Sequence, residues 1–298
     1  MRTELPHNAG DQRRARDLPQ QASGANSGNA AGRGGAPLTP PSFPLAALVS
    51  AGVSGIAWQA GTLSFRGSLA AWIIGVLILL GTGWQGGAVL AVFFVSSSLI
   101  SKLAAKRFAP ELDLKGDRRD AWQVFANGGV AALAAVTAPG NFPLRIWLVT
   151  ASLAAAAADT WATSVGSLSR VPPRLLWTRR QVVPGTSGGV TTAGTGGAVL
   201  GAAVVSLTGA WAAGVPWLAL GGTLIGFAGM LLDSTIGGRL QGRFHCPRCD
   251  MQSEWGTHRC GTTTRWTGGF RWLNNDAVNA IATALATVLA WAFWGWLD

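Results

Sequence analysis

Two aspartates stand inside long apolar stretches of this sequence. Asp159 follows five alanines in ASLAAAAADTWATS, and Asp233 lies in FAGMLLDSTIGG. An ionised carboxylate inside a membrane is unfavourable by several kcal/mol unless it is paired or hydrated, and such residues usually serve a function. The two carboxylates could hold Mg²⁺, which favours oxygen ligands and retained water, with Asp276 of NNDAVN as a third ligand. A structural ion pair with arginines is the alternative.

Between these aspartates, the stretch TRRQVVPGTSGGV opens the next apolar run. Its small residues let backbone amides approach a ligand closely. Thr186 or Ser187 is expected to cap the following helix, whose free N–H groups and dipole would attract an anion. A glycine-rich turn that only opens a helix is the alternative. The predicted phosphate site comprises Arg179, Arg180, Gly185, Thr186, Ser187, Gly188 and Gly189.

A third group of reactive side chains lies in HCPRCDMQSEWGTHRCG. Cys246 and Cys249 have the CxxC spacing of a zinc knuckle, and His258 and Cys260 could complete a Cys₃His tetrahedron. His245 is an alternative ligand. A structural Zn²⁺ is predicted, because four protein ligands leave no open position. Free thiols or a redox pair are the alternative.

Long uncharged runs must position these groups, since the chain is 49% apolar and only 12% charged. Their lengths approach the roughly 20 residues that a helix needs to cross a bilayer. Gly197 and Gly201 have the GxxxG spacing that lets helix backbones approach closely. The eight predicted segments are 44–62, 68–82, 85–101, 122–138, 144–167, 190–210, 214–237 and 277–297. The predicted fold is an all-α, polytopic membrane bundle with about seven to eight transmembrane helices.

The predicted domain organisation has two parts. Residues 44–298 form the helical membrane domain, with the Cys/His loop at 239–275. Residues 1–43 are rich in Gly, Ala, Pro and Asn and are predicted to be disordered, because this composition cannot bury a core.

The positive charges indicate how the chain is oriented. Of the 23 lysines and arginines, 17 fall in the odd-numbered loops between the eight segments. The positive-inside rule therefore predicts that the 102–121, 168–189 and 238–276 loops of this multi-pass protein are cytoplasmic, in the cell membrane. The rule explains the net charge of +10 without a nucleic-acid partner, although an anionic substrate could use the same charges.

This orientation gathers the polar residues at one membrane depth. The segments that hold Asp159 and Asp233 run toward the cytoplasm, and the fourth, sixth and eighth segments start there. Their first turns carry Asn127, Thr186 with Ser187, and Asn275 with Asp276. The sequence therefore predicts a shared polar opening on the cytoplasmic side.

Several motifs carry a family resemblance. They are FFVSSSLISK, QVFANGGVAAL, ASLAAAAADTWATSVGSLS, PGTSGGVTTAGT, LLDSTIGGRLQ and NNDAVN, in this order, from near residue 44 to the C-terminus. The chain resembles the transmembrane protein 19 family, also known as domain of unknown function 92. The resemblance implies a site built from Asp159, Thr160, Thr163, Gly185, Thr186, Ser187, Gly188, Gly189, Asp233, Asn275 and Asp276. The usual ADTWATE pattern has an acidic residue where this chain has Ser164.

The resemblance also implies an activity, because the family includes a plant phytyl-phosphate kinase. The expected function is a kinase that converts a polyprenyl or similar lipid monophosphate to its diphosphate with a nucleoside triphosphate and Mg²⁺. Phosphoryl transfer mainly requires alignment and charge neutralisation, and no P-loop motif is present. A transporter or flippase for an anionic lipid or solute is the alternative, since intramembrane carboxylates and glycine-broken helices suit transport too.

Overall fold

The computed structural model describes residues 39–105, 118–258 and 260–296, which are mainly helical. The helices are α1 (Phe43–Gln59), α2 (Phe65–Ala105), α3 (Ala121–Thr137), α4 (Phe142–Ser167), α5 (Thr192–Ala213), α6 (Trp217–Leu240) and α7 (Asn275–Trp294). The predicted class, a mostly helical membrane protein, is confirmed. The predicted disordered tail falls almost entirely outside the described residues, and α1 begins at its last position.

Five helices are long and apolar enough to cross a membrane, namely α2, α4, α5, α6 and α7. The helices α1 and α3 are apolar but have only 17 residues each. The number of crossings, predicted as seven to eight, therefore stays a prediction.

The second and third predicted segments are two arms of α2, which reverses direction at Gly83. A Cβ placed on Gly86 would lie 3.3 Å from Ile78 Cγ2. Residues eight positions apart in a straight helix are separated by about 12 Å along the axis, so the arms must fold back on each other. Gly83 has φ 64° and ψ −160°, a conformation that side-chain-bearing residues rarely adopt.

This reversal brings the first and third loops together. Ser64 donates its backbone N–H to Arg119 O (3.0 Å), and the Lys102 ammonium reaches Ala60 O (3.1 Å). Ser101, near the end of the second arm, lies 3.2 Å from Ser164 near the end of α4. The odd-numbered loops thus meet at one end of the bundle, which we call the basic end.

The central element is α4, which packs against α2, α3, α5, α6 and α7 through small residues. Its alanines 154–158 are buried. Glycines of α5 pack directly on it: a Cβ at Gly197 would lie 2.9 Å from Trp161 O, and one at Gly201 would lie 2.6 Å from the Trp161 ring. The close helix approach predicted from this GxxxG spacing is confirmed.

Two small sheets lie in the loops of the basic end, and the sequence did not predict them. Strands β1 (Arg174–Leu175) and β2 (Gly189–Val190) pair antiparallel within the fifth loop. The seventh loop forms a three-stranded sheet in the order β4-β3-β5. Its strands are β3 (Arg243–Cys246), β4 (Met251–Ser253) and β5 (Arg265–Gly268), and we call this unit the ribbon.

Candidate functional site

The two intramembrane aspartates face each other at the basic end. A Cβ placed on Gly229 of α6 would lie 2.6 Å from the Ala155 Cβ of α4. Asp233 and Asp159 each follow these contact residues by four positions, one helical turn further along the same face. The two carboxylates interact electrostatically across the α4–α6 contact.

Among the described residues, no cationic side chain neutralises the charge of this pair. Asp233 is only 9% exposed, and its Oδ2 is buried without a hydrogen-bond partner. Within residues 39–105, 118–258 and 260–296, no lysine or arginine forms an ion pair with Asp159 or Asp233. The predicted alternative, a structural ion pair with arginines, is therefore absent from the described part of the chain. Two neighbouring carboxylates that are removed from water in this way require a cation or a proton.

The PGTSGG stretch is a tight loop that packs on the end of α6. Gly185 and Gly188 have φ values of 87° and 77°, and Gly189 N–H donates to Thr186 O (3.0 Å). A Cβ on Gly188 would lie 2.5 Å from both Ser234 O and Gly238 Cα, so only glycine fits at this crossing. The loop is thereby held one turn beyond Asp233.

The predicted helix cap was wrong. Neither Thr186 nor Ser187 caps α5, because Thr191 does so by accepting the backbone N–H of Gly194 at its Oγ1 (2.9 Å). The reason is that Gly189 and Val190 are extended and pair with β1, which delays the start of the helix. The backbone amides of the PGTSGG loop therefore precede the helix instead of opening it.

Ser187 points to a residue that sequence reasoning missed. Its Oγ donates to Glu254 Oε1 at 2.7 Å, and Glu254 in turn interacts electrostatically with Asp233. Glu254 lies in the ribbon, directly after β4. One feature of the sequence could have indicated Glu254. It is an acidic residue within a strongly basic loop, on the side of the membrane predicted for Asp159 and Asp233.

Arg179 and Arg180 are both exposed. They form the exposed turn between β1 and β2, where Arg179 adopts a positive φ of 52°. Trp177 anchors this hairpin on α6, because its Nε1 donates to Thr235 Oγ1 (3.2 Å) and its ring lies under the Arg239 guanidinium (5.0 Å). The two arginines share the basic end with the aspartates, and the described contacts do not bring them to the carboxylates.

The polar first turns of α3 and α7 also lie at this end. Asp120 caps α3 and Asn274 caps α7, each through a side-chain oxygen 2.9 Å from a backbone N–H. Asn127 and Asp276 are buried, whereas Asn275 is half-buried and Thr163 of α4 is exposed. The electrostatic partners described for Asp233 are Asp159 and Glu254, and Asp276 is not among them.

Ser164, which replaces the acidic residue of the family pattern, faces another direction. Its buried hydroxyl lies beside Ser101 of α2. Five residues advance a helix by about 140° beyond one full turn, so position 164 cannot share the face of Asp159. The absence of an acid at this position therefore removes nothing from the Asp159–Asp233 pair.

The four predicted zinc ligands lie together at the tip of the ribbon. The ligand atoms of Cys246, Cys249, His258 and Cys260 all lie within 4.8 Å of one another. Cys246 Sγ and Cys260 Sγ are 3.6 Å apart, and His258 Nδ1 lies 3.1 Å from Cys260 Sγ. Hydrogen bonds with Thr262 and His258 lower the pKa of Cys260 to about 5, which favours the ligating thiolate.

These four side chains fit the donor set of a tetrahedral structural zinc site. The alternative ligand His245 instead lies 3.1 Å from Asp250 Oδ1. Zn²⁺ stays a prediction, as do the alternatives of free or redox-active thiols.

Comparison with known proteins agrees with this architecture. The family described as integral membrane protein DUF92 matches residues 48–287. The chain belongs to this family. It is 28% identical to Protein PGR of Arabidopsis thaliana over 289 residues, covering 84% of this chain and 96% of that protein. It is also 34% identical to an uncharacterized membrane protein of Methanocaldococcus jannaschii over 176 residues, covering 59% and 73% respectively.

A third relative is an uncharacterized membrane protein of Synechocystis sp., with 29% identity over 231 residues that cover 74% of this chain and 78% of the relative. No solved structure matches the chain. The family assignment predicted from the sequence motifs is thus confirmed, and the names of these relatives state no reaction.

Proposed function

We propose that this family member is a membrane kinase that transfers a phosphoryl group from a nucleoside triphosphate to a polyprenyl lipid monophosphate. The observation that carries the proposal is the pair of half-buried Asp159 and buried Asp233, which no described lysine or arginine neutralises, at the end of the bundle where the basic loops meet. A membrane-embedded acceptor and a water-soluble donor must meet at such a boundary.

Each group of site residues would have its own role in binding the substrates. Asp159 and Asp233 supply carboxylate oxygens for Mg²⁺, which when bound neutralises phosphate charge. The backbone amides of the GTSGG stretch would bind nucleotide phosphates, except those of Thr186 and Gly189, which donate within the loop. Arg179 and Arg180, in the exposed hairpin turn, would contact the outer phosphate oxygens.

The acceptor explains why the site needs no strong base. The second pKa of a phosphate monoester is about 6, so the lipid phosphate is largely deprotonated at neutral pH and can attack directly. Positioning and charge neutralisation then account for most of the catalysis. Ser164 in place of an acidic residue is compatible with this chemistry.

The lipid would lie between the helices, with its phosphate at the basic end. The small-residue contacts of α4 leave the large apolar side chains on the outer faces of the helices, for example Leu200 and Leu224. These faces suit an isoprenoid chain as well as lipid acyl chains.

The test is a substrate screen with purified protein in detergent. ATP, CTP, GTP and UTP are each combined with Mg²⁺ and phytyl or geranylgeranyl monophosphate, and diphosphate product is measured by mass spectrometry. We expect product with at least one nucleotide and none with Asp233→Asn. Wild-type protein that is folded but forms no diphosphate contradicts the proposal. Movement of a fluorescent lipid phosphate across vesicles that contain this inactive protein would favour the transporter alternative.

A further inference from the structure

Three carboxylates from three separate segments converge at the basic end. Asp159 comes from α4, Asp233 from α6, and Glu254 from the ribbon. Asp233 interacts electrostatically with both of the others. In the described part of the chain, no lysine or arginine forms an ion pair with any of the three. As neighbouring charges these groups repel one another, so a cation or protons must neutralise them.

Orphaned polar atoms around this junction point to a missing ligand. Asp233 Oδ2 is buried without a partner, and so is Gln241 Nε2, in a side chain only 2% exposed. Gln241 Oε1 lies 3.3 Å from the Cβ position of Gly237, which itself is 3.9 Å from Ser187 Cβ. Buried polar groups in folded proteins nearly always find a partner. Asp233 Oδ2 is an acceptor that a cation would satisfy, and Gln241 Nε2 is a donor that an oxygen of a species bound to that cation would satisfy.

We propose that Glu254 is the third carboxylate ligand of a divalent cation site formed with Asp159 and Asp233. The inference deepens the proposed kinase function, on which it rests, by naming a ligand outside the helical bundle. The hydroxyl of Ser187 donates to Glu254 Oε1, which orients the carboxylate as partners of metal ligands usually do. Three oxygen ligands leave coordination positions for water and phosphate oxygens, the arrangement that Mg²⁺ favours.

The ribbon would hold Glu254 in place. Glu254 lies between the two halves of the Cys/His cluster, after Cys249 and before His258. The segment that follows it is fixed by Thr264, whose Oγ1 donates to Trp255 O (2.6 Å). Zinc bound by both halves would therefore close this segment into a rigid loop, and the ribbon would act as the arm that presents Glu254 to the helices.

The experiment measures Mn²⁺ binding, as a spectroscopic substitute for Mg²⁺, to the full-length purified protein by electron paramagnetic resonance. Wild type should show one saturable site, and Glu254→Gln should weaken its affinity by about tenfold or more. Ser187→Ala, which removes only the orienting hydrogen bond, should weaken it less. Asp250→Asn is the matched control. It lies in the same ribbon, its side chain is 96% exposed beside His245, and Asn tolerates its φ of 55°.

Zinc content and thermal midpoint are measured on every variant, so that a folding defect is not mistaken for a lost ligand. Unchanged Mn²⁺ affinity in Glu254→Gln, or no saturable site in the wild type, overturns the inference. Weakened Mn²⁺ binding in a protein that makes no prenyl diphosphate supports the cation site and contradicts the kinase. Diphosphate synthesis at the wild-type rate by Glu254→Gln supports the kinase and contradicts the role of Glu254.

Discussion

The two ends of the bundle are built on different principles. At the end opposite the basic end, the described connections are short: Gly83, residues 138–141 and residues 214–216. An aromatic cluster closes this end, with ring centroids of Trp147 and Trp217 5.2 Å apart and those of Trp217 and Phe293 5.7 Å apart. Trp147 is fully buried, and its Nε1 donates to Ala290 O (2.8 Å). Packing and a satisfied hydrogen bond stabilise this aromatic end.

The basic end has the opposite character. Its loops are long and carry two small sheets, and it gathers the carboxylates of Asp159, Asp233 and Glu254, which no described lysine or arginine neutralises. Such like charges lower the stability of a protein unless a ligand or protons neutralise them. The difference indicates that the aromatic end holds the fold and that the basic end is arranged for binding. Substitutions at the two ends should therefore affect different measurements.

The largest expected effect on stability lies at the aromatic end. Trp147→Ala should lower the free energy of unfolding by about 3–5 kcal/mol, because it removes a fully buried ring and its hydrogen bond. Thermal unfolding in detergent measures this change. Trp211→Ala is the control, since this tryptophan near the same end is 72% exposed and should matter little. Equal destabilisation by both variants would contradict the assignment of a structural role to this end.

Asp159→Asn should lower activity without lowering stability, the opposite of the result expected for Trp147→Ala. The change keeps the shape of the side chain but removes a charge that would bind Mg²⁺, so turnover should fall on the order of 10²-fold or more. Thermal stability should be kept or raised, because the described residues offer Asp159 no cationic partner and Asp233 repels it. Phosphorylation of a prenyl monophosphate and thermal unfolding are measured side by side. A large loss of stability would indicate a structural ion pair, and full activity would exclude the metal role.

The third prediction concerns zinc binding by the ribbon. Loss of zinc should have the smallest effect on the stability of the helical bundle. Metal analysis of protein purified without chelator should give about one zinc per chain. Replacing Cys246 and Cys249 with Ser should abolish zinc binding, because it removes two of four ligands. The helical signal in circular dichroism should remain, since the ribbon lies in a loop outside the helices. Undetectable zinc in the wild type would leave the free-thiol and redox alternatives.

The sequence predicted most of the helices but not the small contacts of the site. Apolar run length located α4–α7 within a few residues, because a bilayer-spanning helix requires such runs. Positive-charge alternation also grouped the odd loops, and the hydrogen bond between Ser187 and Glu254 agrees with this grouping. Single-sequence periodicity does not encode which loops touch, so Glu254 was missed. The cap at Thr191 was missed because the β1–β2 pairing that shifts it is two residues long.

The comparison of the two ends also predicts an orientation, in which the basic end faces the cytoplasm. Single surface cysteines can test this orientation with little effect on stability. Exposed substitutions away from packing usually change stability by less than about 0.5 kcal/mol. Thr178 is exposed in the β1–β2 hairpin of the basic end, and Pro139 is exposed in the connection between α3 and α4 at the aromatic end. If the basic end is cytoplasmic, an impermeant maleimide should label Pro139→Cys in intact cells.

Under the same conditions, Thr178→Cys should be labelled only after the membrane is permeabilised. The wild type provides the background, because Cys246, Cys249 and Cys260 all lie at the basic end. Labelling of Thr178→Cys from outside would reverse the orientation and place the carboxylates away from cellular nucleotides, which would contradict a kinase and leave transport. The reverse pattern, with only Pro139→Cys accessible, puts the basic end where nucleoside triphosphates and Mg²⁺ are available. A single surface cysteine at each end thus distinguishes the kinase hypothesis from the transporter hypothesis.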